Sequence, residues 1–187
     1  MRFLLLFLLV SSFIFPSYAR EIAGVVLDEE ISLAKNTKLK LNGAGIRSKF
    51  FFEIYVGALY VTQAPLKSPE AVFSDPSAKR MLMHFLYDEV SKEKLNTGWQ
   101  DGFENNLDEQ TFSKLNQRLI AFKSYFATVN KGDVIYLDYI PEQGTKVTIN
   151  SVEKGVVAGR DFHQALMSVW LGEEPADWGL KEALLNL

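Results

Sequence analysis

The sequence predicts an α+β domain: a large, mostly antiparallel sheet with a layer of helices on one face. Three observations carry this. Segments with strand and helix signatures come in the order strands, helices, strands, helices, rather than in strict alternation. Near the C-terminal end, three strand-like runs lie close together, the first two separated by the turn Pro141-Glu142-Gln143-Gly144. Finally, Ala78 to Tyr87 is apolar on both faces, with Met81, Met83 and Phe85 on one and Leu82, His84 and Leu86 on the other, as expected of a central strand.

The first 19 residues are expected to be a secretory signal peptide and not part of the fold. Arg2 supplies a positive start, Phe3 to Val10 an apolar stretch, and Ser17 and Ala19 the small residues before a cleavage site. The apolar run is shorter than the ~20 residues a transmembrane span needs, and Pro16 lies near its end. The domain then occupies residues 20–187, and a periplasmic or secreted location follows.

In chain order, Ile22 to Val26 and Ile31 to Leu33 read as short opening strands, and Thr37 to Leu41 alternates apolar and polar residues. Leu41-Asn42-Gly43-Ala44-Gly45-Ile46-Arg47 reads as a glycine-rich turn that delivers an arginine, and Phe50 to Thr62 as a long apolar strand. Ser68-Pro69-Glu70 opens a short helix, with a capping serine and proline at the first helical position. Ser91 starts a second helix, on which Leu95, Trp99, Gly102, Phe103 and Asn106 follow helical spacing. Gly98 and Gly102 weaken that helix and predict close packing on another element. A third helix runs from Asp108 or Glu109 to Phe126, with Phe112, Leu115, Leu119, Phe122 and Phe126 as its stripe. Val134 to Ile140, Thr145 to Asn150 and Val152 to Val157 are the next strands. A helix opens at Arg160-Asp161 and ends at Gly172, and a last short helix falls within Pro175 to Leu187.

Composition narrows the function classes. There is no cysteine, which rules out thiol catalysis, cysteine-ligated zinc and iron–sulfur clusters, and leaves packing to hold the domain; the chain has 14 Phe, 7 Tyr and 3 Trp, although two Phe-rich stretches belong to the leader. A formal charge of −3 with scattered basic residues argues against a nucleic-acid footprint. Lys35, Lys38, Lys40, Arg47 and Lys49 come nearest to a cluster, and alternate strand lysines read as a solvated face. No phosphate loop, nucleophile elbow or metalloprotease motif is present, and no cofactor is expected. The two histidines are His84, on an apolar strand, and His163, on the face of the helix opening at Asp161; a bis-histidine haem site is weighed against the ordinary core role of a histidine on an apolar strand, and the latter is preferred.

Several motifs together resemble the chalcone isomerase superfamily. They are Asn42-Gly43-Ala44-Gly45-x-Arg47, the aromatic strand ending Gly57-Ala58-Leu59-Tyr60, and Lys94-Leu95-x-x-Gly98-Trp99-x-x-Gly102-Phe103-x-x-Asn106. Gly132-Asp133, Pro141-x-x-Gly144-Thr145 and Asp161-Phe162-x-x-Ala165-Leu166-x-x-Val169-Trp170-Leu171-Gly172 complete the set. They occur in the family's order from about residue 22 onward, and the arrangement is most similar to the exported bacterial branch. The resemblance implies an open-faced β-sandwich with a ligand cleft between sheet and helices.

It also implies two possible functions. In the isomerases, the arginine matching Arg47 stabilises a phenolate or enolate. Here, however, the positions of the isomerases' two threonines fall on Tyr55 and on Val169, or on Ser168 if the register slips by one; Asn105 or Asn106 can match their asparagine, while their tyrosine falls on Gly98 or Trp99. In the fatty-acid-binding branch, the same arginine and a tyrosine at Tyr55 hold a carboxylate, which a guanidinium and a phenol can do through charge-assisted and neutral hydrogen bonds. The favoured reading is therefore a noncatalytic binder of a fatty acid or similar amphipathic carboxylate. The alternative is an intramolecular lyase acting on an aromatic or enone substrate, with Arg47 as electrostatic catalyst. A third reading is an interaction protein with a closed cleft. The expected site residues are Arg47, Tyr55, Phe52, Phe85, Trp99, Phe103, Asn106 and Val169, with Phe50, Met83, Leu166 and Trp170 as further lining candidates. The pair at 47 and 55 poses a geometric condition. On one unbroken strand they would lie roughly 26 Å apart at about 3.3 Å per residue, so the chain must bend near Ser48 and Lys49 for both to reach one ligand.

Overall fold

The computed structural model describes residues 19–34 and 37–187. The expected signal peptide lies outside these residues, apart from Ala19. The elements in order are β1 (Ala19–Ile22), β2 (Val25–Asp28), β3 (Glu30–Ala34), β4 (Thr37–Lys49), β5 (Phe52–Val61), α1 (Pro69–Ser74), β6 (Lys79–Phe85), β7 (Glu89–Val90), α2 (Lys92–Asn106), α3 (Glu109–Ser124), β8 (Val129–Asn130), β9 (Val134–Ile140), β10 (Gly144–Ile149), β11 (Val152–Val157), α4 (Arg160–Leu171) and α5 (Trp178–Leu184).

Seven strands form one antiparallel sheet in the order β11-β10-β9-β6-β5-β4-β3. Strand β6 is central, as its two apolar faces require. Met81, Met83 and Phe85 enter the main core under the helices. Leu82 and Leu86 join a smaller cluster on the opposite face, where Val25 and Leu27 of the β1–β2 hairpin also pack. All the described helices but α4 start at a capping side chain: Ser68, Ser91, Asp108 and Asp177 each accept a backbone N–H at the start of α1, α2, α3 and α5.

Three expectations are corrected by the backbone. The run Ile22 to Val26 is not one strand; Ala23 and Gly24, both at positive φ (50° and 77°), turn the chain between β1 and β2. The glycine-rich segment is no turn but the middle of the 13-residue strand β4. The real turn is Phe50-Phe51, between paired residues Lys49 and Phe52, so the expected strand from Phe50 begins two residues later.

The glycines of β4 and β5 have a packing role instead. A Cβ on Gly43 would collide with the backbone carbonyls of Ala183 and Leu184, one on Gly45 would lie 2.6 Å from the Ala183 Cβ, and one on Gly57 would lie 3.1 Å from a Leu180 methyl. The absent side chains leave a bare strip on which α5 lies almost in contact with the sheet. Gly102 does the same between helices: its Cβ would lie 2.7 Å from Val169, so α2 and α4 pack closely there, as the sequence predicts. Gly98 differs, since a Cβ there meets nothing within 4 Å.

Candidate functional site

A cleft of about 750 Å³ opens between the Arg47–Tyr55 end of the β4–β5 hairpin, the C-terminal end of β6, helix α2 and the loop joining α4 to α5. Its volume falls within the range of about 300–1,000 Å³ usual for small-molecule sites. The interior is apolar. Ile54, Met83 and Phe85 come from the sheet, Leu95 and Trp99 from α2, and Val169 from α4. Gly98 also lines it, so the missing side chain leaves room in the cleft rather than allowing a neighbouring element to approach. Exposed charges of both signs, including Lys49, Glu89, Glu93, Lys94, Asp101 and Glu174, border it.

The hairpin meets the geometric condition on Arg47 and Tyr55. The chain reverses at Phe50-Phe51, and the two residues become direct cross-strand partners. The Arg47 guanidinium carbon lies 5.6 Å from the centroid of the Tyr55 ring. Among the described residues Arg47 makes no ion pair, and its buried Nε has no hydrogen-bond partner. Asp177, whose charge bears on the Tyr55 phenol at this corner, is occupied elsewhere: its oxygens accept the backbone N–H groups of Ser48 and Leu180 at 2.9 and 2.8 Å. Asp177 thus fastens the start of α5 to β4 beside the arginine.

Tyr55 is buried, and its hydroxyl accepts the Trp170 indole N–H at 2.8 Å. Since that bond uses an oxygen lone pair, the phenolic hydrogen remains available. Burial pushes the Tyr55 phenol above its ordinary pKa, with the nearby Arg47 charge opposing, so at neutral pH it is an O–H donor. The Trp99 indole N–H, in the wall of the cleft, also lacks a partner among the described residues. Unpartnered buried donors carry a desolvation penalty that an acceptor from a ligand would relieve.

The other expected residues divide. Phe52, Phe85, Trp99 and Val169 line the cleft with Arg47 and Tyr55, as do Phe50 and Met83. Phe103, Leu166 and Trp170 lie behind the wall in the main core, with Phe103 packed against Phe162. Asn106 is a latch: its amide donates to the carbonyls of Gly102 and Glu174 and its oxygen accepts the Glu174 N–H. Its neighbour Asn105 is the one that reaches the cleft. Helical spacing alone does not separate a lining residue from a core one, because both lie on the same buried side of α2. Ile54, Tyr87 and the Pro175-Ala176 loop also line the cleft, and sequence alone assigns none of them a role in a site.

The two histidines stand on opposite faces of the sheet. His84 projects on the side of Leu82 and Leu86, whereas His163, on α4, is buried on the helical side, stacked on Tyr139 and hydrogen-bonded to Thr145. They cannot share one axial site. Among the described residues no group of three or more His, Asp or Glu side chains is placed to hold a metal ion.

A family profile described as chalcone isomerase-like matches residues 19–186. The chain belongs to the chalcone isomerase-like family. Among solved structures, the crystal structure of a fatty-acid-binding protein from Arabidopsis thaliana superposes with a TM-score of 0.69 at 16% identity, covering 90% of this chain and 96% of that one. At that identity the likeness concerns the fold, which is the α+β open-faced arrangement expected from the family's motifs. No curated protein matches the sequence.

Proposed function

We propose that this chalcone isomerase-like domain is an exported, noncatalytic binder of a fatty acid or a similar amphipathic carboxylate. The observation that carries the reading is Arg47: a guanidinium without an ion pair among the described residues, at one end of an apolar cleft, with the Tyr55 ring beside it. A carboxylate would take charge-assisted bonds from the guanidinium and one bond from the phenol, while its chain covers Phe85, Trp99, Leu95 and Val169. That a fatty-acid-binding protein is among its structural neighbours supports the same choice.

The intramolecular lyase alternative asks for hydroxyl groups around a ketone. Val169 stands on the cleft wall where that relay would need one, and the Tyr55 oxygen already accepts from Trp170. The test compares head groups on a common tail. Displacement of a fluorescent fatty acid by palmitate should be at least about tenfold more effective than displacement by hexadecanol, as the loss of one charge-assisted bond predicts. Equal displacement would mean that Arg47 does not read the head group.

A further inference from the structure

The tip of the β4–β5 hairpin carries three consecutive phenylalanines in the open. Phe50, Phe51 and Phe52 are 85%, 98% and 56% exposed. Phe50 also takes a φ of 58°. A two-residue turn normally places glycine, asparagine or aspartate in that left-handed region, and a bulky side chain there is strained. Folding therefore gives no reason for aromatic residues at 50 and 51: both rings gain little burial, and at 50 the backbone would prefer another residue.

We propose that this tip is a wedge that inserts into a phospholipid bilayer and seats the mouth of the cleft on it. Three features favour a bilayer over a protein groove. First, the tip is convex and its two turn rings lie almost free, a shape suited to a fluid apolar phase. Second, Lys49 is exposed directly beside it, where a cation meets lipid phosphates. Third, the tip is continuous with the cleft, because Phe50 and Phe52 line the cleft while remaining exposed to solvent. Interfacial elements sink ~5–10 Å into the boundary between headgroups and acyl chains. Arg47, three residues from Phe50, lies roughly 10 Å back along the strand, near headgroup depth when the tip is inserted. An amphipathic acid could then pass between bilayer and cleft with its tail shielded by the phenylalanines and its carboxylate held at the polar level. That last step rests on the proposed function above; the wedge does not. No described helix is long and apolar enough to cross a membrane.

The test is co-sedimentation of the mature protein, free of added fatty acid, with phosphatidylcholine vesicles, with and without phosphatidylglycerol. Phe51→Ser changes a side chain outside the cleft. It should reduce vesicle partitioning at least about tenfold while the melting temperature and fatty-acid affinity stay unchanged. Phe50→Asn with Phe51→Gly installs a favoured hairpin turn and so keeps the fold; it should reduce partitioning further, by about a hundredfold. No partitioning by the unmodified protein would overturn the proposal, as would equal partitioning by all three proteins. So would a dimer that forms through the tip and disappears in the double variant. Vesicle binding that depends on the tip, together with no measurable fatty-acid affinity, would sustain the wedge and defeat the cleft reading.

Discussion

Arg47 and Tyr55 are eight residues apart in the chain and face each other across two strands. Each therefore has a separable effect. Tyr55→Phe removes the acceptor of the buried Trp170 N–H, so it should destabilise the fold by about 1–3 kcal/mol in urea unfolding. Through loss of one neutral donor, it should weaken carboxylate binding by no more than about tenfold. His163 offers a test independent of the cleft. Burial, reinforced by the charges of Lys79 and Arg160, pushes its pKa down to about 3, so the folded protein holds it neutral. The unfolded chain binds a proton there below its ordinary value of 6.5. Stability should therefore be intact above that pH and fall as pH drops towards about 3, with a limiting slope of about 1.4 kcal/mol per pH unit from this group. Comparison of unfolding free energies at pH 7 and 5 for the unmodified protein and His163→Gln checks this, and the variant should show the smaller fall. The sequence places His163 on the face of a helix. It does not show the neighbours that set its pKa, because Lys79 and Tyr139 come from other strands.

At the scale of elements, glycine was the least legible residue. Gly43, Gly45 and Gly57 belong to strands, and their meaning depends on α5, well over a hundred residues later in the chain. A local reading sees a turn because glycine serves turns and close approaches equally well. Gly43→Ala should lift α5 off β4 and destabilise the protein by about 1–3 kcal/mol. Gly98 and Gly102 are four apart on one helix and have different roles, since one faces open cleft and the other faces Val169. Gly98→Leu should improve the helix by up to about 1 kcal/mol while filling the cleft and lowering ligand affinity. A rise in melting temperature with a loss of binding is the expected signature; unchanged binding would place the ligand elsewhere. Capped helices and the two-sided strand β6 were legible because serine, aspartate and alternation act locally.

For the whole molecule, the fold class followed from the order of elements, and the family from motifs spread along most of the chain. What local pattern could not give was the direction of Arg47, which is set by a hairpin turn made of phenylalanines against the usual turn chemistry. Export is the proposal that rests on the leader alone: N-terminal sequencing of the fractionated protein should give Arg20 first, and retention of the leader in the membrane would contradict it. On the reading of the cleft as a binding site, chalcone should not cyclise measurably faster with the protein than without it; turnover that depends on Arg47 would favour the lyase. The central claim is that Arg47 holds a carboxylate. Titration of Arg47→Ala with a fluorescent fatty acid, alongside a melting curve, tests it most directly. Affinity should fall roughly ten- to a hundredfold, the loss of a charge-assisted bond of about 1.5–3 kcal/mol, with Arg47→Lys only partly restoring it and the melting temperature nearly unchanged. Unchanged affinity in Arg47→Ala would contradict the claim, as would loss of binding accompanied by collapse of the melting temperature.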